Sequence, residues 1–195
     1  MTRELIGELG IEAITMRDLA LRCEVAVATL YNQFGSREAI IAAALRSDFE
    51  GRYEPLSQRT LALGPAEKLR ERIGEAARAI VGPMRDYTRS VMFFYFHHKP
   101  DSTLRAAIHD FVATDFTAIV RDIETRGDLQ PWARVDTFAD DLITQLYALV
   151  MKWSQGYIAD RRLRARLLHA ASVSFIGISR GQSREDFEIL AAGIR

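Results

Sequence analysis

GIEAITMRDLALRCEVAVATLYNQFGSREAI, residues 10–40, decides the fold. Two short segments with helical apolar spacing, near 15–22 and 27–34, flank Cys23-Glu24-Val25-Ala26, a spacer that leaves room only for a sharp turn. Thr15-Met16-Arg17-Asp18 reads as a capping box: the hydroxyl accepts from the third helical amide, and Asp18 reaches back. Met16, Leu19, Ala20, Val25, Leu30 and Phe34 are expected to close one small core with the helix over residues 2–9, whose Leu5, Ile6 and Leu9 share a face. What remains on the later helix is Val27, Ala28, Thr29, Tyr31, Asn32 and Gln33. Small, hydroxyl and amide side chains of this kind suit base edges and phosphates. A helix-turn-helix lays such a second helix in the major groove of DNA. Packing alone gives no reason to expose Thr29, Tyr31 and Arg37.

Outward from this stretch almost everything reads as helix, so the expected class is all-α. Ser36 caps a fourth helix carrying Ile40, Ile41, Ala44, Leu45 and Phe49. Pro65 suits the first turn of a helix ending near Gly82-Pro83. Further helices are expected over 84–99, from Asp101 or Ser102 to 126 with Gly127 as the stop, over 133–159, and over 163–179 closed by Gly181. Ser183-Arg184-Glu185-Asp186 reads as a capping box opening a last short helix. The expected domains are a three-helix head, 1–47, and a helical body, 48–195.

The head resembles the TetR family of bacterial transcriptional regulators. The matching residues are Gly10, Thr15, Met16, Leu19-Ala20, Val25, Thr29-Leu30-Tyr31, Phe34, Gly35-Ser36-Arg37-Glu38 and Ile40. The body matches that family only in length and helical character. The resemblance implies a double-stranded DNA operator as partner, an effector pocket in the body and a homodimer. Thr15, Thr29, Tyr31 and Arg37 are then the phosphate-contact candidates, and Val27, Ala28, Asn32 and Gln33 the base-contact candidates. Three positions depart from the family's pattern: Glu24 stands where glycine is usual, Ala26 where serine or threonine caps the recognition helix, and Val27 where a polar or basic residue is frequent. The resemblance also leads one to expect a basic arm before the first helix, and residues 1–9 hold only Arg3. Over 1–47 five arginines face six carboxylates, which lowers the expected attraction to DNA.

Composition bounds the remaining classes. Formal net charge is zero, so general polyanion binding is not expected. The lone Cys23 permits no internal disulfide and suits a reducing cytoplasm. No run is long and apolar enough for a membrane span, and Arg3, Glu4, Gly7 and Glu8 interrupt any signal-peptide core. Gly177-Ile178-Ser179-Arg180-Gly181 matches G-x-S-x-G, but that elbow needs a strand before it and a histidine after it. No histidine follows His169, so no enzyme is expected, and neither cofactor nor metal: His97-His98, His109 and His169 have no ligand spacing.

The aromatic run over 92–96 is apolar all round and is expected to be buried on several sides. Phe93, Phe94, Phe96, His97, Phe111, Phe116, Tyr147 and Met151 form the candidate lining for a small apolar effector. The basic run over 161–166 is expected in a solvated loop and helix start. Phe138, Leu142, Leu146, Leu149 and Trp153, with Leu167, Ala171, Ser174, Phe175 and Ile178, make two stripes expected to build a four-helix homodimer interface through about 133–180. The expected function is a DNA-binding transcriptional regulator, a repressor released by its ligand. The alternatives are an enzyme on a helical scaffold, for which no catalytic set is present, and a helical ligand-binding or protein-interaction module with weakened DNA binding.

Overall fold

A computed structural model describes residues 2–97 and 102–194. Its helices are α1 Thr2–Leu9, α2 Met16–Cys23, α3 Val27–Phe34, α4 Arg37–Thr60, α5 Pro65–Val81, α6 Arg85–His97, α7 Ser102–Thr125, α8 Val135–Ser154, α9 Asp160–Ile178 and α10 Gly181–Ala192. The expected all-α class is observed, and the pairing between Leu129 and Ser179 is a single isolated bridge. The chain divides into two compact units, Met1–Pro55 with Pro83–Phe111, and Leu56–Gly82 with Val112–Arg195.

In the first unit α1 packs on α6 and α2 on α3. Leu5, Ile6, Ile11, Ile14, Met16, Leu19, Leu30, Ile41 and Leu45 are buried, joined by Val91, Met92 and Phe94 of α6. Burial of this apolar set holds three short helices that would not persist alone in water. Val25 and Phe34 correct the expected head core. Val25 is 40% exposed and Phe34 only half-buried, because the turn before α3 carries Val25 outward. Leu9 also lies largely in solvent.

In the second unit α9 packs against α5, α8 and α10. Phe175 of α9 joins three helices: it meets Phe138 of α8 edge-on at 5.0 Å and stacks on Phe187 of α10 at 4.8 Å. Leu142, Leu146 and Trp153 of α8, and Leu167, Ala171 and Ile178 of α9, are buried in the same single chain. These are the stripes expected to build a dimer. Most of their apolar area is buried by packing within one chain, with Phe138, Leu149 and Ser174 left half-buried. Phe93 and Phe96 also depart from expectation, being 53% and 41% exposed.

Helix ends differ in instructive places. α8 stops at Ser154, where Gly156 turns with φ 84°, before the expected 159. The basic run lies wholly inside α9. Gly181 does not close a helix; it starts α10 at φ 55°. Ser183 does not cap α10, because it already lies inside it and is fully buried. Its amide donates instead to Asp128 Oδ2 at 2.9 Å. Asp128 thus caps α10 from 55 residues away. Two backbone bonds hold the strap: Arg180 N–H to the Asp128 carbonyl, and Gln130 N–H to the Ile178 carbonyl, each 2.8 Å. A Cβ at Gly181 would come within 2.5 Å of Asp128 Oδ1, so close approach as well as φ requires glycine.

Candidate nucleic-acid interface

The turn between α2 and α3 sets the geometry. The Val25 amide donates to the Ala20 carbonyl at 3.1 Å and the Glu24 amide to the Leu21 carbonyl at 3.3 Å. This pair of bonds is a Schellman motif with Glu24 at its left-handed position, φ 55° and ψ 39°. Glu24 is the one residue other than glycine with positive φ among the described residues. A glutamate there costs about 1–2 kcal/mol relative to glycine. Ala26 then starts α3 with no side-chain cap, which forfeits about 1 kcal/mol. The departures at Glu24 and Ala26 therefore each carry a structural consequence, a left-handed backbone and a missing cap.

α3 turns only Leu30 fully inward. Ala28, Thr29, Tyr31, Asn32 and Gln33 are exposed, Tyr31 by 51%, and Val27 is half-buried. Gly35 ends the helix at φ 78°, its amide donating to the Tyr31 carbonyl at 2.9 Å. Ser36 Oγ then accepts from the Ala39 amide at 3.1 Å, the expected start of α4.

Thr15 forms the full capping box. Its Oγ1 donates to Asp18 Oδ2 at 2.6 Å and accepts from the Asp18 amide at 3.2 Å, while its own amide donates to Asp18 Oδ2 at 2.8 Å. The Thr15 hydroxyl, then its amide, hold the Asp18 carboxyl below the usual carboxylate range.

Arg37 is placed differently from the other phosphate candidates. Its Nη1 donates to the carbonyls of Ile11, Glu12 and Ile14 at 2.9, 3.2 and 2.8 Å, and its Nε to Glu38 Oε1 at 2.9 Å. It ties the α1–α2 link to the start of α4. Arg22 is likewise engaged, with Glu8 at 2.7 Å. Sequence reasoning missed both roles, since neither partner lies at helical spacing. The capping function of Ser36 was the only local hint that Arg37 opens a helix with its side chain free to fold back.

The candidate effector residues are distributed over both units. Phe94 is buried in the first, with Phe93 and Phe96 exposed. Phe116 and Tyr147 are buried in the second, and Met151, half-buried, receives the Ser154 hydroxyl at 3.4 Å. The side chains of His97 and Phe111 lie outside the described residues. Two polar features here were not read from the sequence. Tyr95 Oη lies 3.2 Å from His109 Nδ1. In the second unit Arg72 Nη1 meets Asp115 Oδ2 at 3.1 Å, both well shielded. Burial pushes the Asp115 carboxyl up to about 6, against the pull of Arg72.

Residues 1–44 match the family described as bacterial regulatory proteins, tetR family. No curated protein sequence matches the chain. Three solved structures share the fold. One is assigned as a TetR-family transcriptional regulator from Rhodococcus sp., with TM-score 0.68 and 17% identity, covering 87% of this chain and 91% of that one. A second is RolR without ligand, with TM-score 0.62 and 18% identity over 97% of this chain and 92% of that one. A third, described as the molecular basis for control of antibiotic production by bacterial hormones, has TM-score 0.58 and 16% identity over 91% and 93%.

Proposed function

We propose that this chain, which carries the N-terminal domain of the tetR family of bacterial regulatory proteins, is a sequence-specific transcriptional repressor released from DNA by a small apolar ligand. The carrying observation is α3: eight residues, one buried, with amide, hydroxyl and methyl groups facing solvent beyond a tight turn. Thr29 and Tyr31 are the phosphate contacts, with Thr15 at the start of α2, and Val27, Ala28, Asn32 and Gln33 the base contacts. Arg37 acts in this reading by holding the head together. No catalytic step is proposed.

Repression by one head is weak, so the protein works as a homodimer reading two half-sites roughly 34–36 Å apart. With the apolar stripes of α8 and α9 buried in their own chain, the pairing surface is what those helices leave exposed. That surface includes Thr144, Gln145 and Ala148 of α8, and Arg166, Val173 and Gly177 of α9. Ser174 Oγ donates to Gln145 Oε1 at 2.9 Å and joins the two helices there. The effector is a small apolar molecule, a class that suits the buried aromatic side chains of each unit, Phe94 in the first and Phe116 and Tyr147 in the second. RolR, by its description, is a protein with a ligand-free form. Among the described residues no helix is long and apolar enough to cross a membrane, and the proposed place of action is the cytoplasm, where the DNA lies.

A second reading, a helical module with weakened DNA binding, is favoured by Glu24, by uncapped Ala26 and by the acidic balance of the head. Gel shift against the DNA upstream of the gene separates the two. The repressor reading predicts a complex that weakens as salt rises and that Tyr31→Ala weakens on every operator variant alike. Absence of any complex at low salt would contradict it.

A further inference from the structure

The recognition helix carries no lysine or arginine. The nearest arginines in the sequence, Arg22 and Arg37, are committed to Glu8 and to the carbonyls of Ile11, Glu12 and Ile14. Buried Leu30 and half-buried Phe34 mark the inward side of α3. A step of about 100° per residue then sets Asn32 opposite that side, Ala28 and Thr29 beside it, and Tyr31 and Gln33 at the two margins. The outermost arc is thus one carboxamide flanked by two methyl-bearing side chains.

In the major groove each base pair shows a distinct pattern. Guanine offers two acceptors, O6 and N7, best matched by a cationic fork. Adenine offers the N7 acceptor and the N6 donor, matched by a carboxamide, and thymine offers its 5-methyl group to apolar contact. The arc of α3 has the second and third complements and lacks the first.

We propose that α3 reads A·T pairs, with Asn32 Nδ2 donating to adenine N7, Asn32 Oδ1 accepting from adenine N6, and the Ala28 methyl and the Thr29 Cγ2 methyl packing on thymine 5-methyl groups while the Thr29 hydroxyl keeps its phosphate contact. The inference rests on the DNA-binding reading above and specifies its substrate: half-sites whose α3-contacted positions are A·T, with guanine absent there. Because the head carries little net attraction for phosphate, base contacts make up a larger share of its binding to DNA.

The test is selection of the full-length protein on a random duplex library, followed by titration of single-position probes. Enriched half-sites are expected to hold A·T at adjacent positions. Replacing one thymine by uracil removes only the methyl and should weaken binding several-fold. Replacing the contacted adenine by 7-deazaadenine removes one of the two hydrogen bonds and should weaken it by roughly 2- to 12-fold. Asn32→Ala should erase the preference at that adenine alone, and Asn32→Arg should shift it to guanine. Half-sites with G·C at the positions that respond to Asn32→Ala would overturn this inference and leave the DNA-binding reading standing. A library with no enrichment would overturn both.

Discussion

Among the helices whose N-terminal residue supplies no side-chain cap, α3 and α10 solve the problem in opposite ways. α3 starts at Ala26 with no side-chain partner, and the turn before it is held by the left-handed Glu24. α10 starts at Arg180, again without a local cap, but Asp128 reaches its Ser183 amide from another segment. The first end is left exposed on the face proposed to read DNA. The second is sealed by a carboxylate, two backbone bonds and a glycine with no room for a side chain. Helix ends that stay unsatisfied and strained gather where a ligand completes them. The start of α10, which builds the scaffold, is closed from within the fold.

The largest expected effect is at the sealed end. Gly181→Ala demands a left-handed alanine and pushes into Asp128, so it should destabilise the protein by roughly 2–3 kcal/mol, the sum of the strain and the lost cap. Thermal melting checks it; an unchanged midpoint would mean that the strap yields freely.

Next in size is a pH effect in the same unit. Asp115 titrates near 6 in the folded chain, above its ordinary 3.8, because burial disfavours its charge. Its folded state therefore holds a proton that the unfolded chain has released between those values. Its contribution to stability falls as pH rises from about 4 to about 6, by on the order of 2 kcal/mol. Asp128 has the opposite sign: the Ser183 amide lowers its carboxyl, so its contribution is present above its ordinary range and is lost on acidification below it. Melting from pH 4 to 7 should lose the Asp115 slope in Asp115→Asn and keep it in Asp128→Asn.

The comparison also explains what could be read from sequence. The Thr15–Asp18 box and the Ser36 cap are contacts within four residues, and Leu30 inward with Tyr31 outward follows the helical period; spacing reveals both. The strain at Glu24 was readable because the turn demands a residue type and the chain supplies another. Asp128 was not, since no pattern links it to a helix that starts 53 residues later. Ser183 misled for that reason: its spacing to Asp186 suits a cap, but the strap had already fixed the start at Gly181. An arginine beside a recognition helix reads as a phosphate contact, and the bonds of Arg37 to the carbonyls of the α1–α2 link are not legible at helical spacing. The stripes on α8 and α9 were correctly apolar, but periodicity does not say whether a partner chain or the same chain covers them.

Smaller effects lie at the strained end. Asp128→Ala removes one cap and should cost about 1–2 kcal/mol. Glu24→Gly should gain about 1 kcal/mol by relieving the backbone, and Ala26→Ser a similar amount by capping α3. Each gain should raise the melting midpoint by roughly 2–4 °C. Glu24→Gly should also tighten DNA binding, since it removes a carboxylate from the head. A loss of stability in both variants would break the contrast between the two ends.

The central claim is that the exposed arc of α3 discriminates between DNA sequences, and its most direct test is a ratio. Anisotropy titrations at one fixed salt concentration give the affinity for a selected duplex over that for a scrambled one, for the full chain and for Thr29→Ala, Asn32→Ala. The account predicts a ratio far above one for the parent, falling toward one in the double variant while its melting midpoint is unchanged. A parent ratio near one, or a double variant that keeps the parent's ratio, would contradict it.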